Sequence, residues 1–150
     1  MKWVLVFIVF SLTPNSDVKE ARVEGTWEFN NMYDCFLARE SLGESIVIGK
    51  SCYGSIEAAK IAEKNGANYV SFGAMYESST KHNAIVCNHE IISEAKKVIK
   101  IPICVIGGID RLNLMNIKEY KPDMISMVSG IFKHDSPGRE IKKMMELIKE

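Results

Sequence analysis

Ser78, Ser79 and Thr80 place three hydroxyls beside the ammonium of Lys81, directly after the apolar run from Tyr69 to Tyr76. Neutral donors next to a mobile cation suit the oxygens of a phosphorylated ligand. Two further elements follow apolar runs in the same way: Gly107-Gly108 after the stretch from Ile101 to Val105, and Val128-Ser129-Gly130 after the stretch from Met124 to Met127. Glycines let main-chain N–H groups approach an anion without an intervening Cβ, and a helix start behind them adds partial positive charge. Any one of these would serve as an ordinary polar loop. Three, each after a consecutive run, predict a shared phosphate site.

That convergence requires parallel strands, and the remaining pattern supplies them. Ile46 to Ile48 reads as a strand, and Ser55 caps a helix carrying Ile56, Ala59, Ile61 and Ala62 before Asn65-Gly66 stops it. The strand Tyr69 to Tyr76 follows. Asn88 is placed to cap a helix with Ile91, Ile92, Ala95, Val98 and Ile99 inward. Asp110 is placed to cap one with Leu114, Ile117 and Tyr120, and Ser136-Pro137 opens a last helix that buries Ile141, Met144, Met145 and Ile148. Repeated strand–helix units argue for an α/β fold, either doubly wound or a (β/α) barrel, with ligands at the strand C-termini.

Composition narrows the function classes. Nineteen basic residues balance 19 acidic ones among 150, so nothing points to nucleic acid or a membrane surface. The chain reads as a single domain over 1–150, with 1–22 set apart. Cys35, Cys52, Cys87 and Cys104 show no CxxC pairing, which favours a reducing, cytoplasmic setting. Met1-Lys-Trp and the apolar stretch Val4 to Phe10 leave two readings open, a secretory signal or a buried parallel strand. His82, His89 and His134 lack metal-ligand spacing.

The segments Ile48-Gly-Lys-Ser-Cys-Tyr53, Gly66 to Gly73 with Ser79-Thr80-Lys81, Ile101 to Ile109, and Met127-Val-Ser-Gly-Ile131 resemble, in order, the thiamine-phosphate synthase family. The resemblance runs from about Gly25 to the C-terminus. It implies a TIM barrel, the (β/α)8 fold, present here as an incomplete barrel, because eight units usually need about 200 residues or more. It further implies condensation of 4-methyl-5-(2-phosphoethyl)thiazole with 4-amino-5-hydroxymethyl-2-methylpyrimidine diphosphate, giving thiamine phosphate and diphosphate, with magnesium on the leaving group. By the same resemblance Ser51 and Lys81 contact the pyrimidine diphosphate. Ser78, Ser79, Thr80, Gly107, Gly108, Val128 and Ser129 hold the thiazole phosphate.

The chain departs from the family pattern at the metal. The segment Gly25 to Met32 aligns so that Met32 occupies the position of the magnesium-binding aspartate, and a thioether is a poor ligand for a hard cation. Two alternatives to the synthase therefore stand: a thiazole-phosphate-binding module without catalysis, and a thiazole tautomerase-like enzyme. Open edges of an incomplete parallel sheet predict self-association.

Overall fold

The Ser55 hydroxyl accepts from the Ala58 N–H at 3.1 Å, and Asn65 closes the helix it opens. This unit shows how short polar punctuation converts a periodic apolar pattern into alternating elements. In the computed structural model, which describes residues 3–11, 20–29, 47–77 and 84–149, the strands are β1 (Trp3–Ser11), β2 (Glu20–Phe29), β3 (Ile48–Tyr53), β4 (Tyr69–Phe72), β5 (Ile103–Ile106) and β6 (Met124–Ser126). The helices are α1 (Ile56–Lys64), α2 (Glu90–Val98), α3 (Leu114–Lys118), α4 (Ser129–Phe132) and α5 (Pro137–Lys149).

The strands form one sheet in the order β2-β1-β3-β4-β5-β6. From β3 to β6 every pairing is parallel, in register through Ser51↔Ser71, Ser71↔Cys104 and Cys104↔Met124. Their C-terminal ends therefore share one rim, as the predicted site requires. The apolar N-terminal stretch does form a strand, but it is not parallel. β1 pairs antiparallel with both β2 and β3, through Val4↔Gly49 on the β3 side. A short connection permits antiparallel pairing, whereas a parallel neighbour needs a crossover of a dozen or more residues. β1 thus covers the edge of β3, and the sheet ends in β2 on one side and β6 on the other.

The core lies where helices meet this sheet. Val70, Phe72, Ile103 and Val105 are buried together with Ala59 and Ala62 of α1, Ile92 and Ala95 of α2, Leu114 and Ile117 of α3, and Met144 of α5. Several predicted inward residues are instead exposed: Ile61, Val98, Ile141, Met145 and Ile148. In α1 the alanine pair at positions 59 and 62 sets the buried face, so Ile61 is rotated away from it. In α5 the inward stripe is Glu140, Met144 and Leu147, one residue out of phase with the prediction.

Strand and helix limits also shift. β3 begins at Ile48, where the expected strand ends, and runs to Tyr53, while β4 ends at Phe72, four residues before Tyr76. Beyond it the chain crosses over the end of β5, where the Met75 and Tyr76 N–H groups donate to the Ile106 and Gly107 carbonyls at 3.1 and 3.0 Å. Asn88 and Asp110 are not themselves N-caps. Those positions belong to His89 and Asn113. Asn88 Oδ1 nevertheless accepts from the Glu90 N–H at 3.0 Å. Tyr120 lies just past α3. No helix among the described residues is long and apolar enough to cross a membrane.

Candidate functional site

Three strand ends meet at the C-terminal rim. Gly107 and Gly108 adopt φ values of 103° and 67°, a region that L side chains rarely enter. A Cβ on Gly108 would lie 2.5 Å from the carbonyl oxygens of Tyr76 and Glu77, so the glycine turn after β5 rests directly on the start of the segment after β4. A Cβ on Gly130 would collide with the Ile109 carbonyl oxygen and sit 3.0 Å from the Asp110 Cα. The turn therefore touches the segment after β6 as well. Glycine is needed at 108 for close passage of protein backbone, a different reason from the ligand clearance that the sequence suggested.

Charge fastens the same junction. Lys133 Nζ, just past α4, lies 3.2 Å from Asp110 Oδ2. Arg111 Nε donates to Glu140 Oε1 at 3.0 Å, and Lys143 and His134 stand 3.8 and 4.0 Å from that carboxylate, which is nearly fully buried. A buried carboxylate persists only when cations and donors offset its desolvation. Burial pushes the Asp110 carboxyl up, but the Leu112 N–H, Lys133 and the Asn113 N–H outweigh it and hold the group below its ordinary value of 3.8.

What the turn offers is main-chain donors. The N–H groups of Gly108, Ile109 and Ser129 donate to no main-chain carbonyl among the described residues. Amides left over at a glycine turn are suited to anion oxygens. Val128 borders them and is half exposed, and Ser129 begins α4.

Ser51 belongs to the same sheet face as Ser71, its register partner, and is partly buried within β3 rather than on a loop. Cys52 beside it is inert by environment: burial pushes its thiol up to about 11, with Lys50 pulling the other way. Ser78, Ser79, Thr80, Lys81 and His82 lie outside the described residues, as do Met32 and Cys35; the described chain reaches Glu77, against Gly108. Among the described residues no group of three His, Cys, Asp or Glu side chains is gathered that fits a metal ion.

Sequence reasoning missed Asn113, Lys133 and Glu140. Asn113 follows Asp110 by three residues, a capping spacing that was attributed to the aspartate alone. Glu140 is the one carboxylate on the inward stripe of α5, a signal visible only once the helix phase is known.

Comparison with known proteins identifies the family. Residues 30–131 match the family described as thiamine monophosphate synthase. The thiamine-phosphate synthase of Thioalkalivibrio sulfidiphilus is 36% identical over 107 residues, covering 71% of this chain and 51% of the relative. That of Clostridium acetobutylicum is 39% identical over 113 residues, covering 75% and 53%. The chain thus spans about half the length of the curated relatives it matches. Among solved structures, thiamine phosphate pyrophosphorylase from Pyrococcus furiosus superposes with a TM-score of 0.64 at 25% identity, over 73% of this chain and 52% of that one. In fold alone, 3-hexulose-6-phosphate synthase from Salmonella typhimurium also agrees, with a TM-score of 0.57 at 20% identity, over 79% and 56%. The four parallel strands and their helices are an α/β arrangement that superposes on both of these enzymes, and the chain belongs to the thiamine monophosphate synthase family.

Proposed function

We propose that the chain acts in thiamine biosynthesis, binding a phosphorylated thiazole at the rim where the segments after β4, β5 and β6 meet. One observation carries this reading: Gly108 rests on Tyr76 and Glu77 while Gly130 rests on Ile109, in a chain that matches the family across all three elements. The thiazole phosphate is received by the amides of the glycine turn and Ser129, with Val128 alongside; Ser78, Ser79 and Thr80, next after Glu77 in the sequence, are assigned to the same phosphate. Ser51 and Lys81 are assigned to the pyrimidine diphosphate.

In the condensation, the bond from the pyrimidine methylene to the diphosphate breaks with its electron pair leaving on the diphosphate, cationic charge develops on the pyrimidine, and the thiazole nitrogen bonds to that carbon. The group that helps most is a cation on the departing oxygens, and no protein nucleophile is required. Lys81 supplies that charge, and the glycine turn holds the acceptor by its remote phosphate so that the ring is positioned for attack. Magnesium, which the family resemblance implies, would neutralise the diphosphate. Among the described residues no three His, Cys, Asp or Glu side chains are gathered around a place for the ion.

Met32 at the position of the magnesium aspartate favours a second reading, in which the thiazole phosphate is bound and the condensation is not performed. Calorimetry on the full chain separates the two. The synthase requires uptake of both substrates, strengthening of pyrimidine diphosphate binding by magnesium, and formation of thiamine phosphate when they are mixed. The binding module predicts thiazole phosphate uptake that magnesium does not alter. Failure to bind the thiazole phosphate rejects both.

A further inference from the structure

Asn113 stands at the N-cap of α3, yet its side chain makes no capping hydrogen bond. Asparagine at that position ordinarily accepts from an N–H in the first helical turn. Here the carboxamide turns back instead. Its Nδ2 donates to the Gly108 carbonyl at 3.0 Å, and its Oδ1 accepts from the Asp110 N–H at 2.9 Å. Both halves of one planar group are thus spent on the glycine turn.

The consequence follows from peptide geometry. In a trans peptide the C=O and the N–H point in opposite directions across the same plane. Anchoring the Gly108 carbonyl on Asn113 therefore aims the Ile109 N–H away from Asn113. Anchoring the Asp110 N–H likewise aims the Ile109 carbonyl away, and that oxygen is the atom a Cβ on Gly130 would strike. The Ile109 carbonyl is thereby located on the α4 side of the turn, and the Ile109 N–H leaves Asn113 on its far side too. That N–H donates to no main-chain carbonyl among the described residues.

We infer that Asn113 is a positioning residue for anion binding: its carboxamide orients the Ile109 N–H toward the phosphate of a phosphate monoester held between the glycine turn and Ser129. The inference rests on the phosphate site proposed above. Asparagine suits the task because it offers one donor and one acceptor in a fixed plane, matching a carbonyl and an N–H two residues apart. Aspartate offers the acceptor alone while ionised, and alanine offers neither.

The test uses the full chain, labelled with nitrogen-15, titrated with inorganic phosphate and separately with the thiazole phosphate while the Ile109 amide resonance is followed. In the wild type that resonance shifts and saturates. Asn113→Ala weakens apparent affinity roughly five- to tenfold, the effect of losing one or two neutral hydrogen bonds. Asn113→Asp is weak at about pH 7.5 and regains affinity relative to wild type only as the pH falls toward about 4, where roughly half of the carboxyls are protonated and can again donate to Gly108. Asn68→Ala serves as the structural control, since its Oδ1 bonds the Ile48 N–H at 2.8 Å at the opposite end of the sheet; it lowers the thermal midpoint and leaves phosphate affinity unchanged.

Equal affinity in Asn113→Ala, an equal loss in Asn68→Ala, or an Ile109 amide unmoved by phosphate overturns the assignment. Asn113-dependent binding of inorganic phosphate by a chain that rejects the thiazole phosphate keeps the assignment and removes the proposed function. Thiazole phosphate binding indifferent to Asn113 does the reverse. Binding of neither ligand removes both.

Discussion

Lys133 Nζ and Asp110 Oδ2 lie 3.2 Å apart, and through them the segment after β6 is fastened to the glycine turn after β5. Half of the Lys133 side chain is exposed, so the pair contributes modestly to stability, in the range of about 0.2–1 kcal/mol for exposed pairs. Its larger effect is geometric. Asp110 is at once the acceptor for Leu112 N–H at 2.9 Å, the partner of Lys133, and the residue whose own N–H meets Asn113. One residue thereby organises the turn into α3 and ties it to the segment after β6, 23 residues further on.

Asp110 and Asp123 make the protein acid-sensitive. Burial pushes the Asp123 carboxyl up as well, but Lys96 at 2.8 Å and the Ile103 N–H at 2.9 Å hold it below 3.8. Carboxyls whose folded values are depressed add stability above their unfolded value and lose it as pH falls through the folded one. Urea unfolding of Asp110→Asn and Asp123→Asn, relative to wild type, should show a constant deficit above about pH 5 that shrinks toward zero as the pH falls below the ordinary carboxylate value. A deficit unchanged down to the acid end would mean that charge is not the cause.

Gly108→Ala should destabilise by about 2–4 kcal/mol, because the residue is held at positive φ and its Cβ meets two carbonyl oxygens. Gly138→Ala is the companion: nothing lies within 4 Å of a Cβ there, so the same substitution should be neutral or stabilise by about 0.4–1 kcal/mol. Chemical denaturation of both compares the two sites directly. Near-equal values would show that the turn after β5 relaxes freely.

The phase of α5 is open to a simple comparison. Met144 is 2% exposed and Met145 is 49% exposed. Met144→Ala should cost about 2–4 kcal/mol by leaving a cavity, and Met145→Ala should stay within about 0.5 kcal/mol. The reverse order in denaturation midpoints would move the helix by one residue.

Thiol chemistry should distinguish the buried cysteines from Cys87. Burial pushes both Cys52 and Cys104 up to about 11. Cys87 is also raised, by lesser burial opposed by a hydrogen bond from Gly73, but remains part-exposed. Under native conditions at about pH 8, iodoacetamide should label Cys87 well before Cys52 or Cys104, as read by mass spectrometry of peptides. Early labelling of Cys52 would reveal opening of β3.

For the assigned roles of the family residues, Lys81→Ala should weaken pyrimidine diphosphate binding about tenfold or more and thiazole phosphate binding far less, since a diphosphate presents the greater charge to one ammonium. Titration of each ligand into the variant measures this. Equal losses would place Lys81 elsewhere in the site.

Local chemistry was legible without coordinates. Ser55 as a cap, the glycine pair after β5, and the alternation of strands with helices all follow from interactions within a few residues, which side-chain type and spacing encode. The ordered motifs carried the family for the same reason. Tertiary structure alone decided the rest. Whether β1 pairs parallel or antiparallel, and which of two adjacent stripes on α5 turns inward, depend on partners distant in sequence: Gly49 for Val4, and Arg111 for Glu140. Asn113 bonding to Gly108 rather than to its own helix is the same kind of fact. A side chain with several permissible partners is committed only when packing brings one of them within hydrogen-bonding distance.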